Sequence, residues 1–191
     1  MILDTAAYSL IVHAKVKLGR NSRSALPNEG DGRSGFEVYS KCFDLIIEGC
    51  AKAGKLEESL IRCEKMLERR LVPSCWAFNE MVGKLSEIGN VEQANAMSTI
   101  LLDRGFLPDE MTYSHLIEGY GKKGEFHEVL KFHYEIENRS LSPGLLVYAS
   151  LIRSLCLCGK AEEAEKIFED YERTFTGPNC VHLRDVDCKP L

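Results

Sequence analysis

Residues 75–109 read CWAFNEMVGKLSEIGNVEQANAMSTILLDRGFLPD, and their order decides the fold. Phe78, Met81, Val82 and Leu85 stand at i, i+3, i+4 and i+7, the apolar stripe of an amphipathic helix. Gly89 closes that helix, because glycine readily takes the left-handed conformation found just past many helix ends. Asn90 behind it is placed to cap a second helix, expected from about Glu92 to Arg104. That helix ends near Gly105, and Pro108 punctuates the loop beyond.

The same marks recur every 35 residues. Gly19, Gly54, Gly89, Gly124 and Gly159 hold one register, as do the aromatics Tyr8, Phe43, Phe78, Tyr113 and Tyr148 and the prolines Pro73, Pro108, Pro143 and Pro178. Four full units follow at 40–74, 75–109, 110–144 and 145–179. A degenerate unit over 1–39 keeps only its first helix, at about 5–18. From about 20 to 35 the chain, with Pro27, Gly30, Gly32 and Gly35, reads as loop or disorder. Residues 180–191 form a polar tail. Small residues at Ser59, Ala94 and Ala164 mark where each second helix should cross its first closely, with Val129 a bulkier exception. One hairpin cannot bury its apolar face alone, whereas stacked hairpins share a continuous core. The expected fold class is therefore all-α, a right-handed α-solenoid of 35-residue helix-turn-helix repeats with a concave and a convex side.

The motif Phe-Asn-Glu-Met-Val … Gly-Asn-Val-Glu-Gln-Ala … Arg-Gly-Phe-Leu-Pro-Asp (Phe78 to Asp109) resembles the pentatricopeptide repeat. So does Thr-Tyr-Ser-His-Leu-Ile-Glu-Gly-Tyr-Gly-Lys-Lys-Gly (Thr112 to Gly124), and the likeness covers about residues 40 to 179. The tetratricopeptide repeat fits less well, with its period of about 34 and a first-helix glycine where this chain has Ile or Val. The resemblance, to the plain-repeat, plant-like branch of the family, implies binding of single-stranded RNA, one base per repeat, in mitochondria or chloroplasts. The role implied is in transcript stability, processing or translation. Helical repeats can present two or three side chains to each splayed base.

In the family the base-reading residues follow the first-helix aromatic and the loop proline. Here those pairs are Asp44 with Ser74, Asn79 with Asp109, Ser114 with Gly144, and Ala149 with Asn179. Asn79 with Asp109 matches the combination that implies uracil. Ser114 suggests a purine reader, but Gly144 lacks the side chain that would choose between adenine and guanine. Asp44 and Ala149 depart from the pattern. The resemblance also assigns base sandwiching to the residue two before the aromatic, which is Lys41, Trp76, Met111 and Leu146. A stacked base contributes about 1–3 kcal/mol. Lys52, Lys122 and Lys123, near first-helix ends, are the candidates for phosphate contact.

Composition bounds these readings. The 191 residues are 45% apolar and 28% charged, a soluble-globular balance. No stretch approaches the roughly 18 apolar residues of a membrane span, and the N-terminus, with Asp4, lacks a secretory signal's basic start. The opening is not an obvious transit peptide, although Arg20 to Arg33 is rich in Ser and Arg. Net charge of −5 opposes nucleic-acid binding, yet the first-helix halves of the four units sum to zero and the remainder to −6. The excess acid, including Glu57, Glu58, Glu162, Glu163 and Glu165, gathers at second-helix N-termini, where carboxylates favour the helix dipole. A protein-binding scaffold using the concave groove is the alternative that the acidic balance keeps open.

No chemistry is expected of the chain. None of the eight cysteines forms a CxxC pair, and they read as reduced, buried small hydrophobes. Cys156 and Cys158, two apart, splay around a helix rather than converge on a metal. His133-Tyr134-Glu135 has the H-x-E form of zinc deaminases but no P-C-x-x-C partner, and reads as second-helix surface. The expectation is a non-enzymatic protein with no metal or cofactor.

Overall fold

The 3.6-residue apolar stripe of each unit becomes a pair of helices closed by a glycine. The computed structural model describes residues 32–138 and 143–175. Eight helices run among them: α1 (Gly32–Lys52), α2 (Leu56–Glu68), α3 (Cys75–Glu87), α4 (Val91–Leu102), α5 (Glu110–Lys122), α6 (Phe126–Asn138), α7 (Leu145–Leu157) and α8 (Ala161–Phe175). Among the described residues there is no strand, and no helix is long and apolar enough to cross a membrane.

Each tight turn has the same cause. Gly54, Gly89, Gly124 and Gly159 all have φ between +69° and +84°, a region that costs residues with a Cβ about 1 kcal/mol or more. At Gly124 the amide donates to Gly121 O at 3.0 Å and the next amide, of Glu125, reaches back to Tyr120 O at 3.0 Å. Gly159 and Lys160 repeat this onto Cys156 and Leu155. Main-chain groups orphaned by the helix end are thus satisfied without side chains.

Internal packing divides the chain into two compact units. One comprises the residues up to Leu85 together with Gln93–Leu107; the other comprises Ser86–Glu92 and the residues from Pro108 onward. In the first, α2 packs on α1. Ser59, fully buried, lets the helices approach and donates its hydroxyl to Ile47 O at 2.9 Å. Phe43, Ile46, Ile47, Met66, Phe78, Met81 and Leu101 are sealed from solvent, with the Phe78 ring edge-on to Phe106 at 5.1 Å. In the second unit α5 packs against α6 and α7, and α7 against α6 and α8. Tyr113 and Tyr120 both meet Phe132, and Tyr148 meets Tyr171 edge-on.

Two expectations change. Helix α1 begins at Gly32, so residues 32–35 are helix rather than the loop expected there. The helix runs through Gly32 and Gly35 in spite of a penalty of about 1 kcal/mol per glycine. His133 is buried, not on the surface of α6, and its ring lies 5.6 Å from that of Tyr134. Val129, the bulky exception, is fully buried like Ser59, Ala94 and Ala164. The helix expected at 5–18 and the tail 180–191 lie outside the described residues.

Candidate nucleic-acid interface

The first helices α1, α3, α5 and α7 carry the residues that the family resemblance singles out. Lys41, Trp76, Met111 and Leu146, at the sandwiching position of four successive units, are all exposed. Trp76 keeps 53% of its surface in solvent, Met111 43% and Leu146 39%. Large apolar side chains held open at one register, while the aromatic two residues on is buried in every unit, are candidate platforms for a planar ligand.

The reading pairs differ from unit to unit. Asp44 and Ser74 are joined: Asp44 Oδ1 accepts from the Ser74 amide at 2.9 Å. Burial holds the Asp44 carboxyl above the ordinary carboxylate value, and the two bonds from Ser74 work against that. Ser74 Oγ meanwhile accepts from Ala77 N at 3.3 Å at the start of α3. This pair spends its polar atoms on itself. Asn79 is half-buried on α3, in the first unit. Asp109, exposed and in the second unit, caps α5 by accepting from the Thr112 amide at 2.9 Å and the Thr112 hydroxyl at 3.1 Å.

Ser114 is not an open hydroxyl, being 4% exposed and sharing a 2.7 Å hydrogen bond with Ser150 Oγ. Ser150 also donates to Glu118 Oε1 at 3.3 Å, which takes Arg153 Nη1 at 2.8 Å. Gly144 begins α7 with extended backbone and no side-chain cap. A Cβ built on Gly144 would overlap both carboxylate oxygens of Glu110, so the space vacated by its missing side chain is filled. Ala149 is half-buried, and Asn179 lies outside the described residues.

Two of the three lysines named for phosphate contact are already paired. Lys52 bonds Glu48, lies 4.0 Å from Glu80, and sits 5.6 Å from the centre of the Trp76 ring, a cation–π distance. The Glu48 bond raises the Lys52 pKa above its ordinary value. Lys123 bonds Glu92 and stands 3.4 Å from Glu125. Exposed ion pairs contribute about 0–1 kcal/mol, so a phosphate can exchange into either at little cost. Lys122 is exposed.

The thiols behave as expected only in part. Cys42, Cys50 and Cys63 are fully buried, whereas Cys75, Cys156 and Cys158 are half-buried. Cys158 Sγ approaches Gly121 O at 3.6 Å. Among the described residues no group of His, Cys, Asp or Glu is placed to hold a metal ion.

Sequence reasoning missed Glu110, Glu118, Ser150, Arg153 and Ser154. A signal was present: Glu118 and Arg153 are 35 residues apart, Ser114 and Ser150 36, and Ile117 and Ser154, whose Oγ donates to Ile117 O at 3.2 Å, 37. Complementary residues about one period apart meet where α5 and α7 stack.

Fold and site together define a helical-hairpin repeat protein with solvent-facing first-helix positions recurring every 35 residues. A family model described as PPR repeat family matches residues 108–157, and one described as PPR repeat matches 41–71 and 146–173; together these matches span just over half of the chain. The chain belongs to the pentatricopeptide repeat family. Among solved structures it is similar to the pentatricopeptide repeat protein PPR10 from maize, at 18% identity and a TM-score of 0.66, over 89% of this chain and 24% of that one. It is similar also to PPR10 in complex with an 18-nt psaJ RNA element, at 19% identity and a TM-score of 0.57, over 93% of this chain and 29% of that one. The chain thus spans about a quarter of the length of the structures it matches. None of the curated proteins matches it.

Proposed function

We infer that this chain binds single-stranded RNA through its first-helix faces, selectively at a minority of its units, without catalysis. The observation that carries this reading is the exposed sandwiching position of all four units, three of them filled by Trp76, Met111 and Leu146. An RNA base has a π-face whatever its identity, so such positions give affinity, and polar neighbours give choice. By family resemblance Asn79 with Asp109 is the combination that implies uracil, while Asp44 and Ser74 are bonded to each other and leave residues 40–74 silent. By family resemblance the chain is of the plain-repeat, plant-like type. Its role is in transcript stability, processing or translation in a mitochondrion or chloroplast.

Affinity is low for the isolated chain, because four units engage about four nucleotides at one base each, and few free cations limit counterion release. The test is fluorescence anisotropy with uracil-containing and uracil-free oligoribonucleotides across a salt series. Binding that weakens with salt and favours uracil is expected. Asn79→Ala should reduce discrimination at one base, and Lys122→Ala should weaken all sequences alike. Equal silence toward both oligonucleotides in low salt sinks the reading. One observation favours a second reading, a protein-binding scaffold: the polar atoms of Asp44, Ser74 and Ser114 are turned inward to protein partners in a chain of net charge −5.

A further inference from the structure

In the unit 110–144 the second reading position is Gly144, which has no side chain with which to choose a base. The position is nevertheless not empty. The Glu110 carboxylate, from the first turn of α5, occupies the volume that a residue-144 side chain would enter, since a Cβ there would overlap Oε1 and Oε2 and come within 2.7 Å of Cδ. Glu110 is itself exposed. The other reading residue of this unit, Ser114, is buried and held by Ser150, whereas the Glu110 carboxylate beside position 144 faces solvent.

We propose that Glu110 is the specificity-determining residue of this unit, standing in for the absent side chain at Gly144 and selecting guanine. The inference rests on the RNA-binding reading above. Its chemistry follows from the inventory of donors. An ionised carboxylate accepts only, at two oxygens. Among the four bases guanine alone presents two adjacent donors, N1–H and the N2 amino group, on its Watson–Crick edge, the edge that a splayed base offers to protein. Adenine offers one donor beside an acceptor, which faces a carboxylate oxygen with a lone pair. Cytosine does the same, and uracil offers one donor between two acceptors. A bidentate carboxylate contact therefore favours guanine over adenine by about tenfold or more, the range of a good bidentate base contact.

The competing role for Glu110 is purely structural. Its carboxylate lies at the start of α7, which has no side-chain cap, and a negative charge there complements the helix dipole. The two roles separate in one experiment. The full chain and its Glu110→Gln variant are each incubated with a pool of randomised eight-nucleotide oligoribonucleotides, and the retained RNA is sequenced; thermal midpoints of both proteins are measured in parallel. Glutamine keeps the shape but exchanges one acceptor for a donor, the complement of the donor–acceptor edge that adenine and cytosine share. The expected result is guanine enriched at one position by the parent, and loss of that guanine preference in favour of adenine or cytosine in the variant, with overall retention altered less than about threefold. Guanine enrichment identical in both proteins, or a lowered midpoint with no change in base preference, overturns the proposal and leaves the dipole role. A parent that selects a base at another position but none here also overturns it, with RNA binding intact. A parent that retains no RNA above input refutes the RNA-binding reading itself, and this inference with it.

Discussion

The stacking of α5 on α7 leaves no room for a methyl group at Gly121, and replacing Gly121 by Ala puts a number on that closeness. A Cβ there would overlap the Cβ and Oγ of Ser154 and stand 2.9 Å from its Cα, which is backbone and cannot rotate away. Ser154 is fully buried, with its hydroxyl on Ile117 O at 3.2 Å. Three magnitudes compete. Glycine to alanine within a helix gains about 1 kcal/mol in propensity. Overpacking costs about 1–3 kcal/mol, and displacing the Ser154 hydroxyl from its carbonyl adds about 1–3 kcal/mol for a buried group left unpaired. The net expectation is a loss of about 1–5 kcal/mol. Urea unfolding followed by circular dichroism should show it as a midpoint lowered by roughly 0.3 M or more, for an m-value of about 1–3 kcal/mol/M. Two comparisons sharpen the test. Gly119→Ala meets chiefly side-chain ends, Val91 Cγ2 at 2.7 Å and Ser86 Oγ at 2.9 Å, which can shift, so it should cost less than Gly121→Ala. Adding Ser154→Gly to Gly121→Ala vacates the contested volume and should restore part of the loss. A Gly121→Ala protein as stable as its parent, or an unchanged midpoint on adding Ser154→Gly, would refute the packing argument.

Other consequences can be measured in the same preparations. Asp44 has a folded pKa raised above 3.8 by burial, so the stability it contributes is complete below the unfolded value and is lost as pH rises through the folded one. Asp44→Asn keeps an acceptor for the Ser74 amide without the charge, and its stability relative to the parent should increase between about pH 3 and about pH 7; a pH-independent difference contradicts this. Burial pushes the Cys42 thiol up to about 11 and the Cys63 thiol up to about 12. In the folded protein both should resist iodoacetamide while half-buried Cys75 is labelled, and peptide mapping that finds Cys63 modified as fast as Cys75 would contradict the placement of α2. Trp76→Ala should weaken RNA binding by about 1–3 kcal/mol without shifting base preference; a changed preference at unchanged affinity would show that Trp76 is not a stacking platform.

The framework was legible in the sequence because each of its parts is a local necessity. A left-handed turn demands glycine, a buried stripe demands Phe43, Phe78, Tyr113 and Tyr148 at one register, and both signals repeat often enough to be read without a partner. The start of α1 was illegible for the opposite reason. Gly32 and Gly35 are strong local punctuation, and the helix that runs through both belongs to a 21-residue element whose length no local signal records. At the interface, exposure of the sandwiching residues followed from register, but the state of the polar residues did not. Whether Ser114 faces a ligand or Ser150, and whether Gly144 leaves a gap or a place for Glu110, depends on side chains one period away whose direction no local pattern records.

The hydroxyl of Ser59 rests on the carbonyl of Ile47, that of Ser154 on the carbonyl of Ile117, and Cys158 Sγ leans on Gly121 O. In each case the acceptor belongs to the main chain, which every residue type supplies at the same place on a helix. A newly duplicated or transplanted hairpin would therefore find such acceptors already in place on its neighbour, and what it must still match is the room beside them, as the missing Cβ of Gly121 makes room for Ser154.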